Sequence, residues 1–98
     1  MEVRFLDESL DRLEVDGSYD AGFSRPVVKA FRKFMQYTRA ARDERDYYDR
    51  KGYHFEKLKG DRAGQHSIML NDQWRVVMKI RKSGSKTIVD LLGIVDYH

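Results

Sequence analysis

The chain contains no cysteine, only one proline, and no apolar run long enough to cross a membrane or act as a signal peptide. Without cysteine there is no disulfide scaffold, and the absence fits a reducing compartment. The three histidines, His54, His66 and His98, lack zinc-ligand spacing. His54-Phe55-Glu56 matches the first half of a zinc deaminase signature, whose second half needs the missing cysteines. There is no dinucleotide-binding glycine fingerprint, no Walker loop, no internal repeat and no low-complexity segment. The expectation is a soluble, cytoplasmic protein with no membrane partner, no metal and no cofactor.

What is present is charge, unevenly spread. The 98 residues suffice for one domain, 1–98, with a modest core. Hydrophobic residues make up 41% and charged residues 36%, with a net charge of +3. Residues 1–24 carry a net −5, residues 25–62 a net +6 and residues 63–98 a net +2. A basic middle suits a phosphate-rich partner, although for charge density alone a solvated helix face is the preferred reading.

Periodicity orders the elements. Glu2 to Leu6 reads as a short strand. Asp7 is placed to cap a helix with Leu6, Leu10 and Leu13 at helical spacing, and Gly17 to end it. A loop follows to Ser24, with Ser24 or Arg25 as the next cap and Phe23 placed to staple onto Val28. Val27 to about Arg42 is strongly helical. Its buried stripe is Val27, Ala30, Phe31, Phe34, Met35, Thr38 and Ala41. Lys29, Arg32, Lys33, Gln36 and Arg39 form a basic stripe, read as an exposed face or an RNA or ribosome contact. The segment 43–53 carries three tyrosines among charges, suited to stacking on nucleotides or to packing on the domain edge.

His66 to Leu70, Trp74 to Ile80 and Thr87 to Tyr97 read as strands joined by turns at Asn71-Asp72 and Ser83-Gly84-Ser85. The last is apolar on both faces and should be central, with Gly93 marking a bulge. Segregated helices and strands predict an α+β fold: an N-terminal strand and two helices, then a three-stranded antiparallel meander. The helices should cover one face of a curved sheet. The other face, with Arg75 and Lys79, should be free for a ligand.

The stretch LKGDRAGQHSIMLNDQWR, residues 58–75, with the closing Asp96-Tyr97-His98, resembles the HigB branch of the RelE toxin superfamily. The resemblance implies a RelE-like fold and a type II toxin–antitoxin toxin. It also implies a metal-independent endoribonuclease that cuts messenger RNA in the ribosomal A site. The implied partners are a cognate antitoxin, a HigA-like helix-turn-helix protein, and operator DNA through the toxin–antitoxin complex. Two alternatives stay open: a ParE-like inhibitor of DNA gyrase that cuts no RNA, and an inactive relative that binds only its antitoxin and operator DNA.

RNA cleavage by its own 2′-hydroxyl needs a proton acceptor, a proton donor to the leaving 5′-oxygen, and a cation at the phosphate. Arg75, the arginine of the family's WR motif, suits the last task, because guanidinium grips two oxygens at once. His98 is the natural proton carrier. Asp96 could orient it. Tyr97 could hydrogen-bond the 2′-hydroxyl, stack on a base or act as a base itself. Family members often carry a histidine two residues before the leucine of LKGD, where this chain has Glu56. Either His54 substitutes, or Glu56 takes an acid–base role, or the tail works alone. Many superfamily members use lysines on the strand before the turn, at positions held here by Ser67 and Met69. Lys57, Lys59, Arg62 and Lys79 are the candidate phosphate contacts.

Overall fold

The computed structural model describes residues 1–96. Its elements are β1 (Glu2–Phe5), α1 (Glu8–Val15), α2 (Arg25–Ala40), β2 (Glu56–Lys57), β3 (His66–Met69), β4 (Trp74–Ser83) and β5 (Lys86–Asp96). Short 3-10 helices occupy Glu44–Asp49, Lys51–Tyr53 and Gly60–Arg62. The strands form one sheet in the order β1-β5-β4-β3-β2. The α+β class, the two helices and the antiparallel run β3-β4-β5 are as the sequence predicts. The sheet gains β2, a two-residue edge strand beside β3, which has too few residues for alternation to register.

β5 explains its own composition. It lies between β4, antiparallel, and β1, parallel, so both its edges are paired, and from Thr87 to Leu91 the side chains of both its faces are buried. The register between β4 and β5 shifts after Val77: Val77 lies opposite Gly93, but Met78 lies opposite Leu91. Leu92 is the extra residue of a bulge beside Gly93, where the strand bends. The β4–β5 hairpin closes on Gly84-Ser85, with Gly84 at φ +62°, a conformation that costs glycine nothing. At the β3–β4 turn, Asn71 Oδ1 accepts from the backbone N–H groups of Gln73 and Trp74.

The caps hold where side chains can reach. Asp7 Oδ1 accepts from Ser9 N at 2.9 Å and opens α1. Ser24 occupies the cap of α2 without a side-chain bond, and Pro26 sits in the first turn. Leu10 and Leu13 of α1, and Val28, Phe31, Phe34 and Met35 of α2, pack on Ile68, Val76, Met78, Val89 and Leu91 of the sheet. Leu6 does not join them. It is 63% exposed, because it precedes the helix whose periodicity it seemed to share. Ala30 and Ala41 are only partly buried, and Val28 takes the deeper place. Phe23 meets Trp74 edge-on at 5.1 Å.

The tyrosine-rich segment packs. Tyr47 is fully buried, stacked on Phe34 at 5.8 Å and 5.0 Å from Phe55, with its hydroxyl 2.8 Å from Thr38 Oγ1. Burial pushes the Tyr47 phenol far above its ordinary pKa, so it stays neutral. Tyr53 stands edge-on to Phe34, Tyr37 and Tyr47. Each such ring pair adds about 0.5–1.5 kcal/mol beyond area burial. Phe55 then stacks on His66 at 5.0 Å, so the cluster ties the 3-10 segment to the sheet edge. Tyr48 alone of the three faces solvent.

Candidate active site and basic surface

Arg75 follows Trp74 at the start of β4 and points to the face away from the helices, together with Val77 on its own strand and Ser67 on β3. That face is not the open platform the alternation predicts. Arg75 is only 4% exposed, and Val77 and Ser67 are buried. The segment after Tyr53, which pairs with β3 as the edge strand β2, supplies part of the cover on Arg75. Arg75 Nη1 donates to the carbonyl of His54 at 3.3 Å and to Ser67 Oγ at 2.8 Å. It also lies 3.4 Å from Glu56 Oε1. The Glu56 side chain remains 44% exposed, so one flank of the guanidinium is held by an anion that reaches solvent.

His54 has φ +44° and ψ +51°, left-handed for a residue with a Cβ. The conformation turns its carbonyl, not its imidazole, toward Arg75, and its side chain is exposed. Glu56 is opposite Ser67 across β2–β3 and therefore shares Arg75's face. Lys57 is opposite His66, on the face that carries the aromatic cluster, and so points away from Arg75. Strand alternation forces that split between neighbours. Lys59 and Arg62 are exposed in the turn around Gly60, with Arg62 donating to Gln65 Oε1 at 3.2 Å. Lys79 is exposed one strand period beyond Val77, opposite Asp90.

At the other strand, Val95 is opposite Arg75 and Asp96 opposite Trp74. Asp96 is exposed and accepts from Gln73 Nε2 at 3.1 Å. Tyr97 and His98, the proposed proton carriers, lie outside the described residues. The structure therefore joins Arg75, Glu56 and the His54 backbone, and leaves Lys57, Lys59, Arg62 and Lys79 at a distance around them. It adds Ser67, which sequence reasoning noted only as a position without charge. Among the described residues no three histidine or acidic side chains converge as a metal site.

The basic stripe on α2 divides in two. Arg39 grips Glu14 with two bonds of 2.7 Å, and Arg32 donates to the carbonyls of Leu13, Asp16 and Tyr19. Both are spent on fastening α1 to α2. Lys29, Lys33 and Gln36, with Arg25, line a groove of about 570 Å³ floored by Val28 and Tyr19. Elsewhere the surface cations Arg12, Arg42, Arg45, Arg81 and Lys82 each pair with a carboxylate. Arg25, Lys29 and Lys33 do not, among the described residues. They recur at helical i,i+4 spacing, which places them about 6 Å apart along the axis.

The five-stranded sheet with its two helices is a fold shared with solved toxin structures. The YoeB/ParE toxin of Agrobacterium tumefaciens superposes with a TM-score of 0.61 at 21% identity, over the whole of both chains. The Staphylococcus aureus YoeB–YefM complex gives 0.54 at 17% identity, over all of this chain and 97% of that one. The S. aureus YoeB dimer gives 0.53 at 17%, with the same coverage. At these identities the likeness speaks for the fold. No curated protein sequence matches the chain. The family model for HigB-like toxins, the RelE-like toxins of type II toxin–antitoxin systems, matches residues 3–98, and the chain belongs to that family.

Proposed function

We propose that this toxin is a messenger RNA endoribonuclease acting on the ribosome, with Arg75 as the phosphate-binding cation. The observation that carries this reading is the Arg75 seat: a buried guanidinium with a solvent-reaching anion, Glu56, on one flank. An RNA phosphate takes that flank by exchanging with the carboxylate. Displaced Glu56 then stands beside the phosphate and takes the 2′-hydroxyl proton as the oxygen attacks phosphorus. The P–O5′ bond breaks, and His98 gives its proton to the leaving 5′-oxygen, leaving a cyclic phosphate and a free 5′-hydroxyl. Asp96 orients His98, and Tyr97 hydrogen-bonds the 2′-hydroxyl. Lys59, Arg62 and Lys79 hold neighbouring phosphates, and Arg25, Lys29 and Lys33 meet ribosomal RNA. A helix-turn-helix antitoxin, with operator DNA bound by the pair, completes the system. The S. aureus complex of YoeB with YefM supports the antitoxin by analogy.

The test is cleavage of ribosome-bound message by the wild-type chain and by Arg75→Ala, Glu56→Gln and His98→Ala. Cuts that appear with wild type and vanish in all three variants support the assignment. Intact messages together with DNA damage after induction would transfer the chain to the gyrase-inhibiting class.

A further inference from the structure

Ser67 is the feature of the molecule that the cleavage chemistry above leaves unused. It lies in the middle of β3, between Glu56 of β2 and Val77 of β4, and is 0% exposed. A serine hydroxyl at such a position must find a partner, since burial without one leaves a desolvated polar group uncompensated. Its partner is Arg75 Nη1 at 2.8 Å, closer than the His54 carbonyl at 3.3 Å or Glu56 Oε1 at 3.4 Å. The second acceptor on the same nitrogen, the His54 carbonyl, is delivered by a left-handed backbone that a residue with a Cβ adopts only under strain. Strain of this kind persists where the surroundings over-determine it.

Both acceptors are neutral. They fix the plane of the guanidinium without cancelling its charge, as a second carboxylate at Ser67 would. Glu56, 3.4 Å away and partly exposed, is a more exchangeable contact than the buried Ser67 hydroxyl.

We infer that Ser67 is a positioning residue: its buried hydroxyl, with the His54 carbonyl, sets the plane in which the Arg75 guanidinium meets the phosphate as charge develops on it. This rests on the reading of Arg75 as the phosphate contact. Ser67 does not touch RNA. It acts through Arg75, so its loss should lower turnover rather than substrate binding.

Two measurements on the full chain test this. Arginine side-chain NMR of the free protein reads rotation about the Arg75 Nε–Cζ bond. Single-turnover and steady-state cleavage of ribosome-bound message read kcat and KM separately. In Ser67→Ala the Arg75 Hη signals should merge through faster rotation. Losing one hydrogen bond to a charged group should lower kcat about ten- to hundredfold, with KM within about twofold. Ser67→Thr, which keeps the hydroxyl and suits a strand, should restore both. Unchanged Hη signals, or kcat within about twofold of wild type in Ser67→Ala, would overturn the inference. If the wild-type chain cuts no message, the reading of Arg75 falls separately. The Hη signals then decide alone whether Ser67 holds the guanidinium.

Discussion

On the helix-covered side of the sheet, Tyr47 is buried by other rings: Phe34, Phe55 and, edge-on, Tyr53. On the opposite side Arg75 is buried by a hydroxyl, a carbonyl and a carboxylate. The first cluster is apolar and has many interchangeable contacts. The second is polar and directional, around a charge that could not be buried without such partners. Phe55 and Glu56, adjacent in sequence, belong one to each cluster. The same short segment locks the core and lids the arginine. The difference separates two outcomes: damage to the ring cluster should be read in stability, and damage to the arginine seat in activity.

The widest separation is expected at Arg75. Arg75→Ala should lower cleavage of ribosome-bound message about 10²–10³-fold, the usual loss when one transition-state donor is removed. Growth arrest on induction should disappear with it. A toxin that stayed fully active would dissolve the contrast between the two faces. Next comes Tyr47→Ala, which opens a large hole among fixed rings and should cost about 3–5 kcal/mol, checked by denaturant unfolding. Tyr47→Phe keeps the ring and loses the bond to Thr38, costing about 1 kcal/mol. Both variants should keep per-molecule cleavage wherever they are folded.

A smaller effect belongs to the groove on α2. Lys29→Glu with Lys33→Glu should weaken ribosome association about tenfold at low salt and less at high salt, since exposed charges are screened. Thermal stability should hardly move, because neither lysine has an ion-pair partner to lose among the described residues. A sedimentation assay across a salt series would show it. An unchanged affinity at low salt would remove the groove from the binding surface.

The smallest effect tests the ring cluster by pH. Burial, helped by Lys57 and opposed by Glu44, holds the pKa of His66 below its ordinary value of 6.5. Its Nδ1 is buried without a hydrogen-bond partner among the described residues. The neutral ring's contribution is therefore fully present above the unfolded value. It is lost as pH falls through that value toward the folded one. Melting temperature should drop between about pH 7.5 and about pH 5.5, and His66→Phe should flatten that drop. A slope identical in both proteins would mean that His66 is not the titrating group.

Much of the fold is legible in the sequence. β5 is apolar on both faces because it is central, and that signal survives without knowing its neighbours. Phe31, Phe34, Met35 and Thr38 announce the buried face of α2 by spacing alone. Arg75 is a candidate in the sequence through the resemblance that Trp74-Arg75 carries. Its burial is not legible there, because alternation says which face a side chain takes and nothing about what crosses that face later. Ser67 was passed over for the same reason. Only the β3–β4 register brings its hydroxyl under the guanidinium. Arg32 and Arg39 looked like their neighbours Lys29 and Lys33, and only the packing of α1 separates the fastened pair from the exposed one.

By itself, then, the sequence determined the local things: periodicities, caps, turns, the basic middle, and the residue types from which a phosphate site can be built. Those depend on neighbours within a few positions of the chain. The tertiary structure alone decided which cation is buried and which is exposed, and that His54 serves by its carbonyl while Glu56 serves by its side chain. A charge leaves water only where distant acceptors converge on it, and convergence across 8 and 21 residues, from Arg75 to Ser67 and to His54, is a property of the folded sheet.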